Sequence, residues 1–174
     1  ELKRLNIDRK VIVTGSPFFL YRKMRNIEKS KEAKGSVVFP CHSTKEIEVE
    51  YNIEEFCSLL EELPIYFKPF VICLHWCDYN NKNVVDKYES LGYKVVTAGF
   101  PNRSNNFDFV DNYYSILRNA KYTISNEVGT YAFYSVEMKI PFSLINKGNV
   151  IHHNKGDKNL DNWNVADKFK VNEL

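Results

Sequence analysis

The sequence predicts an α/β fold, a Rossmann-like three-layer α/β/α domain with a mainly parallel, doubly wound sheet of five to six strands. Short apolar runs alternate with segments of helical periodicity, which is the pattern of successive βαβ units. One run, FVICLHW at 70–76, is apolar almost throughout, as expected of a strand buried on both faces of a parallel sheet. Polar turns follow most of the predicted strands, and in a parallel sheet these turns share one edge.

Six β-prone apolar runs define the predicted strands. The run KVIVT ends at Gly15-Ser16-Pro17, and SVVF runs into a polar turn that contains His42. The predicted strands cover 10–14, 36–39, 70–76, 93–98, 122–124 and 142–145.

Helical patterns lie between these strands. Asn52 with Glu55 resembles a capping box, and Pro64 ends the helix that they begin. Gly92 closes a later helix as a left-handed cap. The first helix is strongly basic, with three side chains expected on a solvated face: Arg22, Lys23 and Arg25. The predicted helices cover 18–31, 53–63, 84–91, 107–119 and 132–138.

The composition is that of one ordinary globular domain. The chain has 174 residues, of which 44% are hydrophobic and 26% are charged, enough for one core but short for two. A formal net charge of +2 does not favour nucleic acid as a partner. The sequence contains no apolar run long enough for a transmembrane segment, and we expect no signal peptide. We expect a domain over 1–146 and a polar C-terminal extension over 147–174, either packed on the domain or loose.

The cysteines favour a reducing compartment. Cys73 and Cys77 are separated by three residues, but no second pair completes a zinc site. Three of the four cysteines lie in apolar runs, where free thiols pack as small hydrophobic groups. We therefore expect reduced thiols, no bound metal and a cytoplasmic location.

The stretch 121–146 contains a complete βαβ unit. Ser125 and Asn126 end its first apolar run, Gly129 turns the chain, and Thr130 stands at the helix start. A helix start at the carboxyl edge of a parallel sheet offers free N–H groups and a positive dipole end to a phosphate. The alternative is that Ser125 and Thr130 only cap the helix and that Gly129 only turns the chain.

His42 is the strongest single candidate for chemistry, because a histidine can donate to a phosphate oxygen or exchange a proton near neutral pH. Ser43 and Thr44 beside it add hydroxyl and backbone N–H groups. The alternative is a turn histidine that only bonds to the backbone. Arg103, in a later loop rich in Asn, could pair with a diphosphate or could be solvated.

Other polar residues also have two interpretations. His75 lies in an apolar run, which favours a satisfied core residue, although its place near the strand end could bring it to the cleft. Asp78 and Glu127 could be bases or ribose acceptors, or simply solvated carboxylates. His152 and His153 lack a metal pattern nearby and are expected on the surface.

Three common motifs are missing from the sequence. Gly15-Ser16-Pro17 does not have the form of a P-loop, and no GxGxxG follows the first strand, which argues against a dinucleotide oxidoreductase. No GxSxG elbow is present, so a serine hydrolase is not indicated.

With these segments in view, the chain resembles the nucleotide-sugar-binding, C-terminal-type half of GT-B glycosyltransferases of bacterial surface polysaccharide (capsule or lipopolysaccharide) synthesis. The resemblance is carried by VVFPCHSTKEIEVEYN at 37–52, KVVTAGF at 94–100 and YYSILRNAKYTISNEVGTYAFYSVEMKIPFSL at 113–144. It implies that the donor contacts the following residues: His42, Ser43, Thr44, Ser125, Asn126, Gly129 and Thr130. It also implies that His42 and Arg103 assist departure of the phosphate without a metal or other cofactor.

GT-B enzymes have two Rossmann-like domains, whereas this chain has room for one. The resemblance therefore leaves three interpretations: the chain is a fragment of a two-domain enzyme, a partner chain supplies the acceptor side, or the domain binds the donor without catalysing. The expected partners are a nucleotide-sugar donor and a glycan acceptor, in the cytoplasm or at the inner face of the membrane. The alternative is a non-catalytic, flavodoxin-like module for protein interaction or scaffolding.

Overall fold

A computed structural model describes residues 15–101, 107–145 and 150–155, with Phe107 described by its backbone alone. The strand predicted over 10–14 and the candidate Arg103 lie outside these ranges. The strands are β1 (Ser36–Val38), β2 (Ile47–Glu50), β3 (Phe70–Cys73), β4 (Lys94–Val96), β5 (Tyr122–Ser125), β6 (Phe142–Leu144) and β7 (Ile151–Asn154). The helices are α1 (Pro17–Met24), α2 (Ile53–Glu61), α3 (Trp76–Tyr79), α4 (Lys82–Ser90), α5 (Phe107–Leu117) and α6 (Thr130–Glu137).

Five strands form one parallel sheet in the order β4-β3-β1-β5-β6. The chain runs outward from β1 through β3 to β4, and then returns to place β5 on the other side of β1. This is the strand order of a Rossmann-like sheet, so the predicted fold class is confirmed. The order reverses between β1 and β5, and their carboxyl ends therefore flank the crevice in which such sheets bind ligands.

Two hydrophobic cores cover the two faces of the sheet, and alternation along β1 assigns side chains to them. Val37 and Phe39 pack with residues of α5 and α6, whereas Val38 packs with residues of α2 and α4. Successive strand residues point to opposite faces, so the apolar run formed by the end of β1 and the residue after it serves both cores. The result is the predicted three-layer arrangement.

Several local predictions are confirmed. The side chain of Asn52 accepts a hydrogen bond from the backbone N–H of Glu55 at 3.0 Å, as a helix cap does. Gly92 has a φ of 86°, the left-handed conformation expected after a helix. Within the described ranges, no helix has the length and apolarity needed to cross a membrane.

The basic helix differs from its prediction in length and in solvation. It ends at Met24, seven residues before the expected 31, because Asn26 adopts a left-handed φ of 50°. Arg22 is half-buried rather than solvated: Nη2 donates to Glu137 Oε1 at 2.7 Å, and Nε lies 2.5 Å from Oε2. This two-point ion pair joins α1 to α6.

A second sheet of two antiparallel strands was not expected from the sequence. In it, β2 pairs with β7, with Ile47 opposite Asn154 and Glu50 opposite Ile151. The strict alternation in the segment Ile-Glu-Val-Glu is a strand signal, but nothing local indicates its distant partner. At least residues 151–154 of the polar extension therefore pair with the domain.

Gly35 provides a direct test of how tightly the amino ends of the central strands pack. Its φ is 59°, and an added Cβ would collide with the backbone oxygen of Pro69. We expect Gly35→Ala to lower the free energy of unfolding by about 3 kcal/mol or more, because backbone strain and steric overlap add. Gly92→Ala is the matched control, since its added Cβ meets nothing within 4 Å, and should cost about 1–2 kcal/mol. Equal losses in urea unfolding would contradict this account.

Candidate functional site

Two histidines stack at the carboxyl edge of the sheet. His42 lies in the loop after β1, and His75 lies just after β3 and caps α3. Their ring centroids are 4.1 Å apart, and their planes meet at 20°. β1 and β3 are neighbours in the sheet, which brings the two loops together. The expectation that His75 is a core residue is therefore wrong: the strand ends at Cys73, and the ring is half-buried in the cleft.

Hydrogen bonds assign the protons on these two rings. His42 Nδ1 lies 3.2 Å from the carbonyl oxygen of Ser43. A carbonyl oxygen only accepts, so Nδ1 carries a proton. His75 Nδ1 accepts from the N–H of Cys77 at 3.5 Å, so the proton of the neutral His75 ring is on Nε2. This leaves His42 Nε2 as an acceptor in the neutral ring and a donor in the protonated ring.

Burial controls the charge of the groups around the stack. Burial, aided by the charge of His42, lowers the pKa of His75 to about 4, so this ring is neutral at physiological pH. Burial raises the pKa of Asp78, against the opposing effect of a hydrogen bond from the backbone of Ser43. That N–H donates to Asp78 Oδ2 at 3.1 Å. The loop after β1 is thus attached to α3 in two ways, through the stacked rings of His42 and His75 and through the carboxylate of Asp78.

A small cavity of about 110 Å³ opens beside the stack. It is bounded by residues that follow β1, β3 and β4 and by residues of α5 and α6. Pockets for whole drug-sized ligands are about 300–1,000 Å³, so this cavity takes one ring or one phosphate group rather than an entire nucleotide-sugar. His42, His75 and Thr130 all line this cavity.

The hydroxyl groups of Ser43 and Thr44 shape the chain that leads to β2. Ser43 Oγ accepts from the N–H of Val49 at 3.1 Å. Thr44 Oγ1 accepts from the N–H of Ile47 at 3.0 Å and from that of Glu46 at 3.2 Å. Their assignment to the donor stays a prediction, but both hydroxyls already have a structural role.

Ser125 and Asn126 are buried and bonded within the protein. Ser125 is 0% exposed, and its Oγ donates to the hydroxyl of Tyr131 at 3.0 Å. Asn126 is 3% exposed, and its Oδ1 accepts from the N–H of Cys41 at 2.7 Å. Either side chain would need the loop to rearrange before it could contact a donor.

Gly129 and Thr130 begin α6 at the mouth of the cavity. Gly129 has an extended backbone, and a Cβ there would lie 2.5 Å from the ring of Tyr131. The glycine is therefore needed for close packing of this ring, a reason that the sequence did not suggest. Thr130 is exposed and lines the same cavity as His42. The cap residue Gly129 has no side chain to cap α6, and the N–H of Ala132 donates to the carbonyl oxygen of Gly129 at 3.1 Å. The N–H groups of Thr130 and Tyr131 are therefore the ones that this helix start offers to an anion.

The two surface histidines each pair with a carboxylate, and only His152 does so beside the loop that leads to α6. His152 Nε2 lies 3.0 Å from Glu127 Oε1, in the loop that leads to α6. His153 pairs in the same way with Glu50 on the neighbouring strand. The sequence placed both histidines on the surface, and both are exposed. Their acidic partners were not predicted, because they are distant along the chain.

The described residues contain no cluster of three His, Cys, Asp or Glu side chains able to hold a metal ion. All four cysteines are free thiols. Burial raises the pKa of Cys73 to about 12 and that of Cys41 to about 12, so neither is a reactive thiolate at neutral pH. Comparisons of the chain with protein-family models, with curated proteins and with solved structures give no significant match.

The buried link between Asn126 and Cys41 can be tested by mutation. We expect Asn126→Ala to lower the free energy of unfolding by about 1–3 kcal/mol, because it leaves the N–H of Cys41 buried without an acceptor. Asn119→Ala is a matched control: that amide donates to Ser115 at the surface, and its loss should change stability by about 0.5 kcal/mol or less. Similar losses for the two variants in urea unfolding would contradict the assigned role of Asn126.

The lowered pKa of His75 predicts a sensitivity to acid. From the ordinary value of 6.5 down to about 4, the unfolded chain binds a proton that the folded ring does not, so stability falls as the pH falls through this window. We expect His75 to account for a loss of about 1–2 kcal/mol in the free energy of unfolding across this window, after screening by solvent. This loss should be missing in His75→Phe. Urea midpoints should run parallel for both chains above about pH 6.5 and diverge below it. Identical acid slopes would overturn the assignment.

Proposed function

We propose that this domain binds the nucleotide-sugar donor of a GT-B type glycosyltransferase that acts in bacterial surface polysaccharide synthesis. The observation that supports it most is the convergence of His42, His75 and Thr130 on one cavity at the carboxyl edge of the sheet. That edge, beside the point where the strand order reverses, is where open α/β sheets bind their ligands. The segments that carry the resemblance, 37–52 and 113–144, supply two of these three residues.

The chemistry of this edge suits a phosphate group. His42 Nε2 can donate to a phosphate oxygen when the ring is protonated, and the Thr130 hydroxyl can donate beside it. The first turn of α6 adds backbone N–H groups and the positive end of the helix dipole. In this proposal, His42 stabilises the charge that develops on the phosphate as the sugar departs, which needs no metal ion.

The size of the cavity limits what this domain can do alone. A volume of about 110 Å³ holds one part of a nucleotide-sugar, so the rest of the donor lies across the open edge. In this proposal a second Rossmann-like domain or a partner chain closes over that edge, binds the glycan acceptor and contributes the base that activates it. The site would then be complete only in the assembled enzyme.

One observation favours the second candidate, a non-catalytic interaction module. Phe133 and Val136 are 63% and 64% exposed, and their spacing puts them on one side of α6. Exposed apolar side chains that share a helix face are typical of a surface that contacts another protein. Nucleotide binding separates the two candidates, because the interaction module needs none.

The direct test is a thermal-shift panel of UDP, GDP, CMP, dTDP and their sugar conjugates, without metal and then with magnesium. We expect one nucleotide class to raise Tm by about 5 °C or more at about 100 times its Kd. His42→Ala and Thr130→Val should reduce this shift, because each removes a donor to the phosphate. His153→Ala, a histidine outside the cavity, is the matched control and should keep the full shift. A flat panel with a folded protein would contradict donor binding and favour the interaction module.

A further inference from the structure

His75 is held in place by its own helix and also by a hydrogen bond to the backbone of Ser43, in the loop that carries His42. It caps α3 through its Nδ1, which accepts the N–H of Cys77. The backbone of Ser43, next to His42, is in turn attached to Asp78 of the same short helix. These attachments bring the two rings face to face, and the stack at 4.1 Å is a consequence of the fold.

A stacked neighbour restricts what the ring of His42 can do. A histidine on a loop can rotate about its Cβ–Cγ bond and exchange the positions of its two nitrogens. With the face of His75 against it, the ring of His42 keeps one plane, in which Nδ1 points to the carbonyl oxygen of Ser43 at 3.2 Å. Nε2 is then the nitrogen that remains for a ligand in the cavity lined by both rings.

We infer that His75 is a positioning residue: its ring holds His42 with Nδ1–H on the carbonyl oxygen of Ser43, so that Nε2 is the nitrogen that takes up the second proton and, once protonated, donates to an anionic phosphate oxygen. The identity of the ligand rests on the function proposed above, whereas the tautomer does not. Two cationic rings at this separation would repel each other, so the pair carries one positive charge at most near neutral pH. Three other charged side chains lie close to this part of α3. Lys45, Glu46 and Lys155 influence the pKa of Cys77, and Lys155 also influences that of Asp78.

The tautomer can be read directly from ring ¹⁵N chemical shifts in NMR spectra of the full chain, with the His42 signals identified by their loss in His42→Gln. We expect the wild-type ring to be in the Nδ1–H form. His75→Phe keeps an aromatic face against His42 and should preserve that form. His75→Ala removes the face and should give a mixture of both tautomers. A wild-type His42 in the Nε2–H form, or an unchanged tautomer in a folded His75→Ala chain, would overturn the inference.

Titration with inorganic pyrophosphate then connects the tautomer to binding. We expect His75→Ala to weaken the binding of pyrophosphate to the protonated His42 ring about tenfold, because the ring no longer keeps the plane that points Nε2–H into the cavity, and His75→Phe to weaken it by about twofold or less. Equal weakening by the two variants would overturn the role of the stack. The two proposals can fail separately. If the tautomer of His42 changes in His75→Ala but the protein binds no nucleotide, only the donor function is contradicted. If the protein binds a nucleotide but the tautomer of His42 is unchanged in His75→Ala, only the positioning role of His75 is contradicted.

Discussion

The hydrogen bond from the N–H of Cys41 to the side chain of Asn126 is the constraint on which the rest of the site depends. It is buried, 2.7 Å long, and joins the loop after β1 to the loop after β5 at the point where the strand order reverses. A donor left without an acceptor in such a place costs about 1–3 kcal/mol, so the two loops are held in one relative position. His42 follows Cys41 by one residue, and its place at the cavity is set by this link.

Aromatic packing and hydrogen bonds of Tyr131 hold the second loop in place. Tyr131 stacks on Phe39 with centroids 5.3 Å apart, and its hydroxyl accepts from Ser125 and donates to the carbonyl oxygen of Glu127 at 2.8 Å. Gly129 is the residue over which this ring lies. Loops that are ordered before the ligand arrives lose less conformational entropy on binding. A small, preformed cavity therefore suits the recognition of one group of a larger ligand.

The pairing of β2 with β7 connects the polar C-terminal extension to both loops. Ser43 Oγ is bonded to Val49 of β2, and His152 of β7 pairs with Glu127. His152, which composition alone assigns to a polar extension, thereby contacts the loop that leads to α6. Exposed ion pairs contribute little stability individually. The extension is therefore held by the backbone pairing of β2 and β7, and the His–Glu contacts orient its side chains.

The sequence by itself determined the Rossmann-like class, most of the strands and helices, and the carboxyl edge as the place for His42 and Thr130. These follow from local periodicity, caps and turns, and from the rule that parallel strands end at one edge. Only the tertiary structure decided that His75 stacks on His42, that Ser125 and Asn126 face inward, and that β7 pairs with β2. Each of these depends on which loops the strand order makes neighbours, or on hydrogen bonds between residues far apart in the chain. The local sequence pattern does not predict such contacts, because the partner of each side chain depends on how distant segments pack together.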